Sequence, residues 1–230
     1  MVKLRHVDRL RLVLLSDTHG RHDDLDVPDG DILVHAGDFT KSGTEREVAS
    51  FGAFLKRMPH AAKCIVAGNH DFLFERQPER AREYLGDVHY LFDSGASVHG
   101  LEVWGSPWQP WFHDWAFNLP RGPKLAERWA MVPSGLDLLI THSPPAGVLD
   151  RTFRGERVGC EDLSAALERI APKLHVFGHI HEDRGAHIGP DGRLSLNACN
   201  LNLRYQPVHA PMVVDWGPNG PVLVQGGTAD

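Results

Sequence analysis

A chain of 230 residues can bury a substantial core without disulfide or metal staples, and its 42% hydrophobic and 23% charged residues are ordinary for a globular protein. The formal net charge of −6 argues against a nucleic-acid backbone as the main partner, because that role needs a basic surface. No apolar run reaches membrane-spanning length.

Lys3, Arg5, Arg9 and Arg11 surround or precede the apolar run Leu12–Leu15. That run is too short for a signal-peptide core and leads straight into Ser16 and Asp17. The cysteines Cys64, Cys160 and Cys199 form no CxxC pair and read as reduced, buried thiols. Cytoplasmic location is therefore the expectation.

In chain order, Arg11–Leu15, Ile32–His35 and Lys63–Val66 are short, nearly continuous apolar runs, the pattern of strands covered on both faces. Between them, Thr44–Met58 places Val48, Phe51, Phe54, Leu55 and Met58 at helical spacing, with Ser42 or Thr44 as N-cap and Pro59 as terminator. Pro78–Leu85 reads as a shorter helix with proline at its start. Leu136–Ile140 and Leu174–Phe177 are two further buried strands, separated by an amphipathic helix over Gly159–Ile170. The tail changes character. Ala186–Ile188, Arg193–Ala198, Met212–Trp216 and Val222–Val224 are short strands split by turn residues, as in antiparallel meanders. The pattern is α/β with a second sheet packed on the first, and residues 1–230 show no repeat or linker that would divide them.

Each apolar run is closed by a polar motif: Asp17-Thr-His19, Gly37-Asp38, Gly68-Asn69-His70-Asp71, Thr141-His142 and Gly178-His179-Ile-His181. In open α/β sheets, sites gather beyond the carboxyl ends of strands. If the chain stays extended after the first strand, Asp17 and His19 point the same way. Each motif alone has a bland reading as a strand-end turn. Their joint order points to a metal centre. Imidazole, carboxylate and amide donors without thiolate suit manganese, iron or zinc and disfavour calcium or magnesium as sole occupants. Two such ions clamp a phosphoryl group and acidify a bridging water to the attacking hydroxide.

Trp104–Trp115 carries four of the six tryptophans. It reads equally as an aromatic loop over a sheet edge or as a cleft wall, with Trp108, Trp111 and His113 as substrate-contact candidates. Arg151, Arg154 and Arg157 are phosphate-binding candidates, although a solvated charged face is the favoured reading. His22 and His35 lie near ligand positions, but nothing in the pattern recruits them.

The order DxH, GD, GNHD, H, GHxH resembles the calcineurin-like metallophosphoesterases. Residues 105–122, 141–147, 172–182 and 196–215 are similar to the metallophosphoesterase-domain branch related to class III cyclic-nucleotide phosphodiesterases. The resemblance implies a metallophosphoesterase-type sandwich of two mixed β-sheets flanked by helices. It implies one metal on Asp17, His19, Asp38 and His181, with Asp38 bridging to a second on Asn69, His142 and His179. It leaves His70 off the metals as a general acid, with Asp71 orienting it. Some animal members of this branch have glycine where this chain keeps His179, so fuller occupancy of the second position is expected. The expected activity is hydrolysis of small, cyclic-nucleotide-like phosphodiesters. A phosphomonoesterase or protein phosphatase would use the same metal core, and a nuclease is disfavoured by the acidic balance. A catalytically dead scaffold should show eroded ligands, and none is eroded. No motif speaks to oligomeric state.

Overall fold

A computed structural model describes residues 9–226, so Lys3 and Arg5 and the outer ends of the expected 1–230 unit lie outside the described residues. The elements run β1 (Leu10–Leu15), β2 (Ile32–His35), α1 (Glu45–Arg57), β3 (Ala62–Ile65), α2 (Phe72–Arg76) and α3 (Pro78–Leu85). They continue with β4 (His89–Tyr90), β5 (Ser94–Val98), β6 (Leu101–Ser106), β7 (Gln109–Pro110), β8 (Asn118–Leu119) and α4 (Pro123–Ala130). The remainder is β9 (Leu138–Thr141), α5 (Glu161–Ile170), β10 (Leu174–Phe177), β11 (Gly185–Ile188), β12 (Leu194–Asn197), β13 (Met212–Gly217) and β14 (Gly220–Gln225).

Two mixed six-stranded sheets result, ordered β14-β13-β1-β2-β3-β4 and β11-β12-β10-β9-β6-β5. In the first, β1, β2, β3 and β4 run parallel, and β13 and β14 close one edge antiparallel. In the second, β6, β9, β10 and β12 run parallel between antiparallel β5 and β11.

Strand alternation divides the apolar residues into three layers. Leu12, Leu14, Ile32 and Val34 meet Leu138, Ile140, Leu174 and Val176 between the sheets. Val13, Leu15, Leu33 and Ile65 face outward onto α1, α2 and α3 through Phe51, Phe54, Phe74 and Leu85. Leu139 faces outward onto α4 and α5 through Trp129, Leu163 and Leu167. Burial on both faces explains why the central strands read as unbroken apolar runs.

Of the two candidate caps, Thr44 is the one used. Its hydroxyl accepts from Glu47 N while the Glu47 carboxylate accepts from Thr44 N at 2.9 Å, a reciprocal capping box. The tail departs from a local meander. β12 inserts beside β10 in the second sheet, whereas β13 crosses to pair with β1 in the first. Strand length and turn residues carry no information about which sheet receives a strand, so the two were indistinguishable in sequence. Trp104, taken with the loop that follows it, belongs to β6 and pairs with Leu139 inside a sheet.

Phe51 is fully buried and stacks on Phe39 with ring centroids 4.1 Å apart. Phe51→Ala should cost about 3–5 kcal/mol by urea unfolding. A loss below about 1 kcal/mol would show that α1 does not rest on this stack.

Candidate metal centre

The five motifs converge because β1, β2 and β3 of one sheet and β9 and β10 of the other end at the same rim. Backbone bonds tie the crossing segments: Asp17 N donates to Gly37 O, His19 N to Asp38 O, and Gly178 N to His142 O, each at 2.9 Å.

The chain is not extended through Asp17 and His19. Their φ values are 54° and 42°, and Asp38 and His179 also lie in the left-handed region at 55° and 69°. Convergence therefore comes from sharp kinks rather than strand alternation. Such conformations cost non-glycine residues energy and are held only by a well-determined surrounding. Two of the preceding glycines are required for closeness rather than turning. A Cβ on Gly178 would stand 2.0 Å from Asp17 Oδ2, and one on Gly68 would stand 2.3 Å from Asp38 Oδ1.

Asp17 and Asp38 are buried and divide their oxygens in the same way. Asp17 Oδ2 accepts from Ser16 Oγ (2.6 Å), His179 N (2.9 Å) and Cys199 Sγ (3.0 Å), leaving Oδ1 with no hydrogen-bond donor. Oδ1 lies 3.4 Å from His181 Nε2 and 4.0 Å from His19 Nε2. Asp38 Oδ1 accepts from His70 N (2.7 Å), while Oδ2 stands 3.7 Å from His19 Nε2 and 3.5 Å from His142 Nε2. One oxygen anchors and the other is offered to the centre.

The imidazoles are polarised to match. Carbonyl oxygens only accept, so His142 Nδ1 donates to Ala36 O (2.9 Å) and His181 Nδ1 to Asn202 O (3.2 Å). Both rings thereby turn Nε2 inward, as a metal-bound histidine requires. His142 Nε2 stands 2.8 Å from Asn69 Oδ1, and His19 Nε2 stands 3.3 Å from His181 Nε2. Donor atoms each about 2.0–2.2 Å from a shared ion stand roughly 3–3.6 Å apart. The separations, the unpartnered Asp17 Oδ1 and the inward-facing Nε2 atoms fit transition-metal occupancy. Among the described residues, three overlapping donor groups have atoms within 4.8 Å: Asp17, His19 and His181; Asp17, Asp38 and His142; and His19, Asp38 and His70. His179 stands outside these groups, with its ring 5.0 Å from that of His142.

Burial alone would raise the Asp17 and Asp38 pKa values, but the surrounding imidazoles outweigh it and hold both carboxyls well below the usual range. Burial opposes a charge on His142, yet Asp38 overcomes it and lifts its pKa to about 9. Burial takes His19 down to about 4 and His179 to about 3. The centre is a buried negative pair surrounded by nitrogen donors, and a cation resolves its electrostatics.

The expected role of Asp71 needs correction. Its carboxylate accepts from Asp38 N (2.9 Å), Gly68 N (2.8 Å), Thr40 N (2.9 Å) and Thr40 Oγ1 (2.7 Å). The His70 ring is instead held by Lys41 O, 2.8 Å from Nδ1. Asp71 thus splints the Gly37-Asp38 and Gly68-Asn69 turns against each other. Burial and the Asp38 charge push its pKa up to about 7, against these donors.

A cleft of about 450 Å³ opens over the centre, lined by His19, Asp38, Asn69, His70, His179 and His181. Trp111 lines it, but Trp108 and His113 do not. Trp108 turns into the protein, donating Nε1–H to Asp93 Oδ2 (2.8 Å) beneath the Arg128 guanidinium. His113 is exposed at the loop tip, beyond the cleft. Trp115, Phe153, Arg154 and Tyr205 also line the cleft, and of these Phe153 and Tyr205 carried no distinguishing signal in sequence. Of the three arginines, Arg157 pairs with buried Asp150 (2.7 Å), and Arg154 faces the cleft. His35 is buried beneath the centre, 3.0 Å from Thr18 Oγ1, and holds the Asp17 turn from below.

A two-sheet sandwich with Asp, Asn and His donors gathered at its strand ends is the arrangement of a metal-dependent hydrolase. The chain belongs to the calcineurin-like phosphoesterase family, whose pattern matches residues 10–183. It is 42% identical to human metallophosphoesterase domain-containing protein 1, over 89% of this chain and 70% of that protein. It is 40% identical to an UPF0046 protein of Caenorhabditis elegans, over 89% of this chain and 74% of the relative. The fold is similar to that of TT1561 of Thermus thermophilus, with a TM-score of 0.55 at 14% identity, covering 84% and 90% of the two chains.

Loading with Mn²⁺ at 100 times its Kd should stabilise the folded chain by about 2.7 kcal/mol, with chelation reversing the shift in Tm. Gly178→Ala, which drives a methyl into the Asp17 carboxylate, should weaken Mn²⁺ binding about 10–100-fold by calorimetry. Wild-type affinity in that variant would remove Asp17 from the centre.

Proposed function

We propose that this protein is a phosphodiesterase acting on small, cyclic-nucleotide-like diesters, with two transition-metal ions drawn from manganese, iron or zinc. The observation that carries the reading is the placement of His70. A ring nitrogen stands within 4.8 Å of donor atoms of His19 and Asp38, while Nδ1 is fixed on Lys41 O. An alkoxide is a poor leaving group and needs a proton as it departs, so a histidine at the edge of the donor cluster suits diester chemistry.

Bound ions would polarise the phosphoryl oxygens and lower the pKa of a coordinated water. Asp17, His19, Asp38 and His181 would hold one ion, and Asp38, Asn69, His142 and His179 the other. His70 gives its proton to the departing oxygen, and the Lys41 carbonyl keeps its ring from turning. Asp71 acts indirectly, by fixing the two turns that carry Asp38 and Asn69. The cleft volume of about 450 Å³ suits a substrate of mononucleotide size. Three free, buried cysteines accord with a reducing compartment such as the cytoplasm.

His70→Ala should lower turnover of alkyl diesters by about 100-fold or more, and that of bis-nitrophenyl phosphate far less, because nitrophenolate departs without a proton. Equal losses would remove His70 as the acid. Preference for nitrophenyl phosphate over its diester would replace this reading with a phosphomonoesterase.

A further inference from the structure

The cleft mouth is framed by aromatic side chains that folding leaves in water. Trp111 is 60% exposed and Phe153 is 71% exposed, and neither gains the burial that stabilises an aromatic residue elsewhere. They arrive on separate segments, each bonded to one side of the centre.

The first segment is the loop between β7 and β8. Ala116 N donates to Asn69 O at 3.0 Å, and Trp111 N to Leu119 O at 2.9 Å. Trp115 then packs on His70 with centroids 4.6 Å apart, and Phe112 packs on Trp115 at 5.3 Å. An aromatic wall therefore runs outward from His70. The second segment is the turn over residues 151–157. Phe153 N donates to Glu182 Oε1 at 3.0 Å, and Arg151 N to Asp183 Oδ2 at 2.7 Å. Both acceptors directly follow His181, so this jaw is anchored beside that residue rather than beside His70. Trp111, Phe112, Trp115 and Phe153 line one cavity with the donor cluster at its floor.

We infer that the two segments form an aromatic clamp that selects phosphodiesters by their organic groups. The inference rests on the phosphodiesterase reading. The departing group leaves beside His70 and so lies along Trp115 and Trp111. The retained ester oxygen is equatorial in an in-line displacement, so its alcohol projects to the side of the line of attack, and there the second jaw, through Phe153, favours a flat apolar group over one the size of methyl. Stacking requires a π-face on the ligand and is indifferent to the pattern of its polar atoms.

The test uses metal-loaded protein and two diesters with the same nitrophenyl leaving group, one retaining phenyl and the other methyl. The phenyl ester should be favoured by roughly tenfold in kcat/KM, expressed mainly in KM. Phe153→Ala should bring that ratio towards one, and Phe153→Trp should keep it. Trp111→Ala should raise KM for both esters while preserving the ratio. Equal use of both diesters by the wild type overturns the clamp and leaves the phosphodiesterase reading standing. A ratio that survives in Phe153→Ala overturns the assignment to this jaw. Hydrolysis of neither diester, with turnover of nitrophenyl phosphate, overturns both.

Discussion

Two carboxylates, Asp17 and Asp38, are buried at the rim where the sheets meet, and among the described residues no lysine or arginine pairs with either. Burying negative charge in this way is costly unless compensating charge is supplied. The surrounding architecture serves that requirement. Each carboxylate spends one oxygen on hydrogen-bond donors and turns the other towards imidazole nitrogens. Two of the imidazoles, His142 and His181, are in turn fixed from behind by carbonyl oxygens, which turns Nε2 of each towards the centre. Charge, tautomer and geometry converge on a cation.

The backbone around that centre is strained. Asp17, His19, Asp38 and His179 all adopt left-handed conformations that residues with side chains disfavour, at an order of 1–3 kcal/mol each. The sandwich holds them there. Parallel strands deliver the five segments to one rim, the apolar layer between the sheets fixes the distance, and Asp71 and His35 brace the turns from beneath. A carboxylate used as a brace explains the fourth residue of the GNHD motif without giving it a part in proton transfer.

How much could be read in advance follows from which interactions are local. The central strands, the span of α1 and the donor motifs are written in adjacent residues, so they were legible, and the cap of α1 was narrowed to Ser42 or Thr44. The destinations of β12 and β13 were not, because strand propensity does not encode a pairing partner. Trp108 and His113 looked equivalent to Trp111, since spacing along a tryptophan-rich loop does not say which rings turn inward. Asp93 and Arg128 decide that for Trp108, and both lie far from it in sequence. Phe153 and Tyr205 escaped notice because a lone aromatic in a loop carries no pattern.

By itself, the sequence determined which donor residues are present, that each set follows a buried strand, and that glycine precedes several of them. Motif composition expresses this directly, because metal coordination demands particular atoms. Only the tertiary structure decided which oxygen of each carboxylate faces the centre, that Asp71 splints rather than orients His70, and which aromatic rings reach the cleft. Those outcomes depend on hydrogen bonds and packing between segments up to 182 residues apart, such as that joining Asp17 and Cys199. Such contacts exist only once both sheets have closed on their common core.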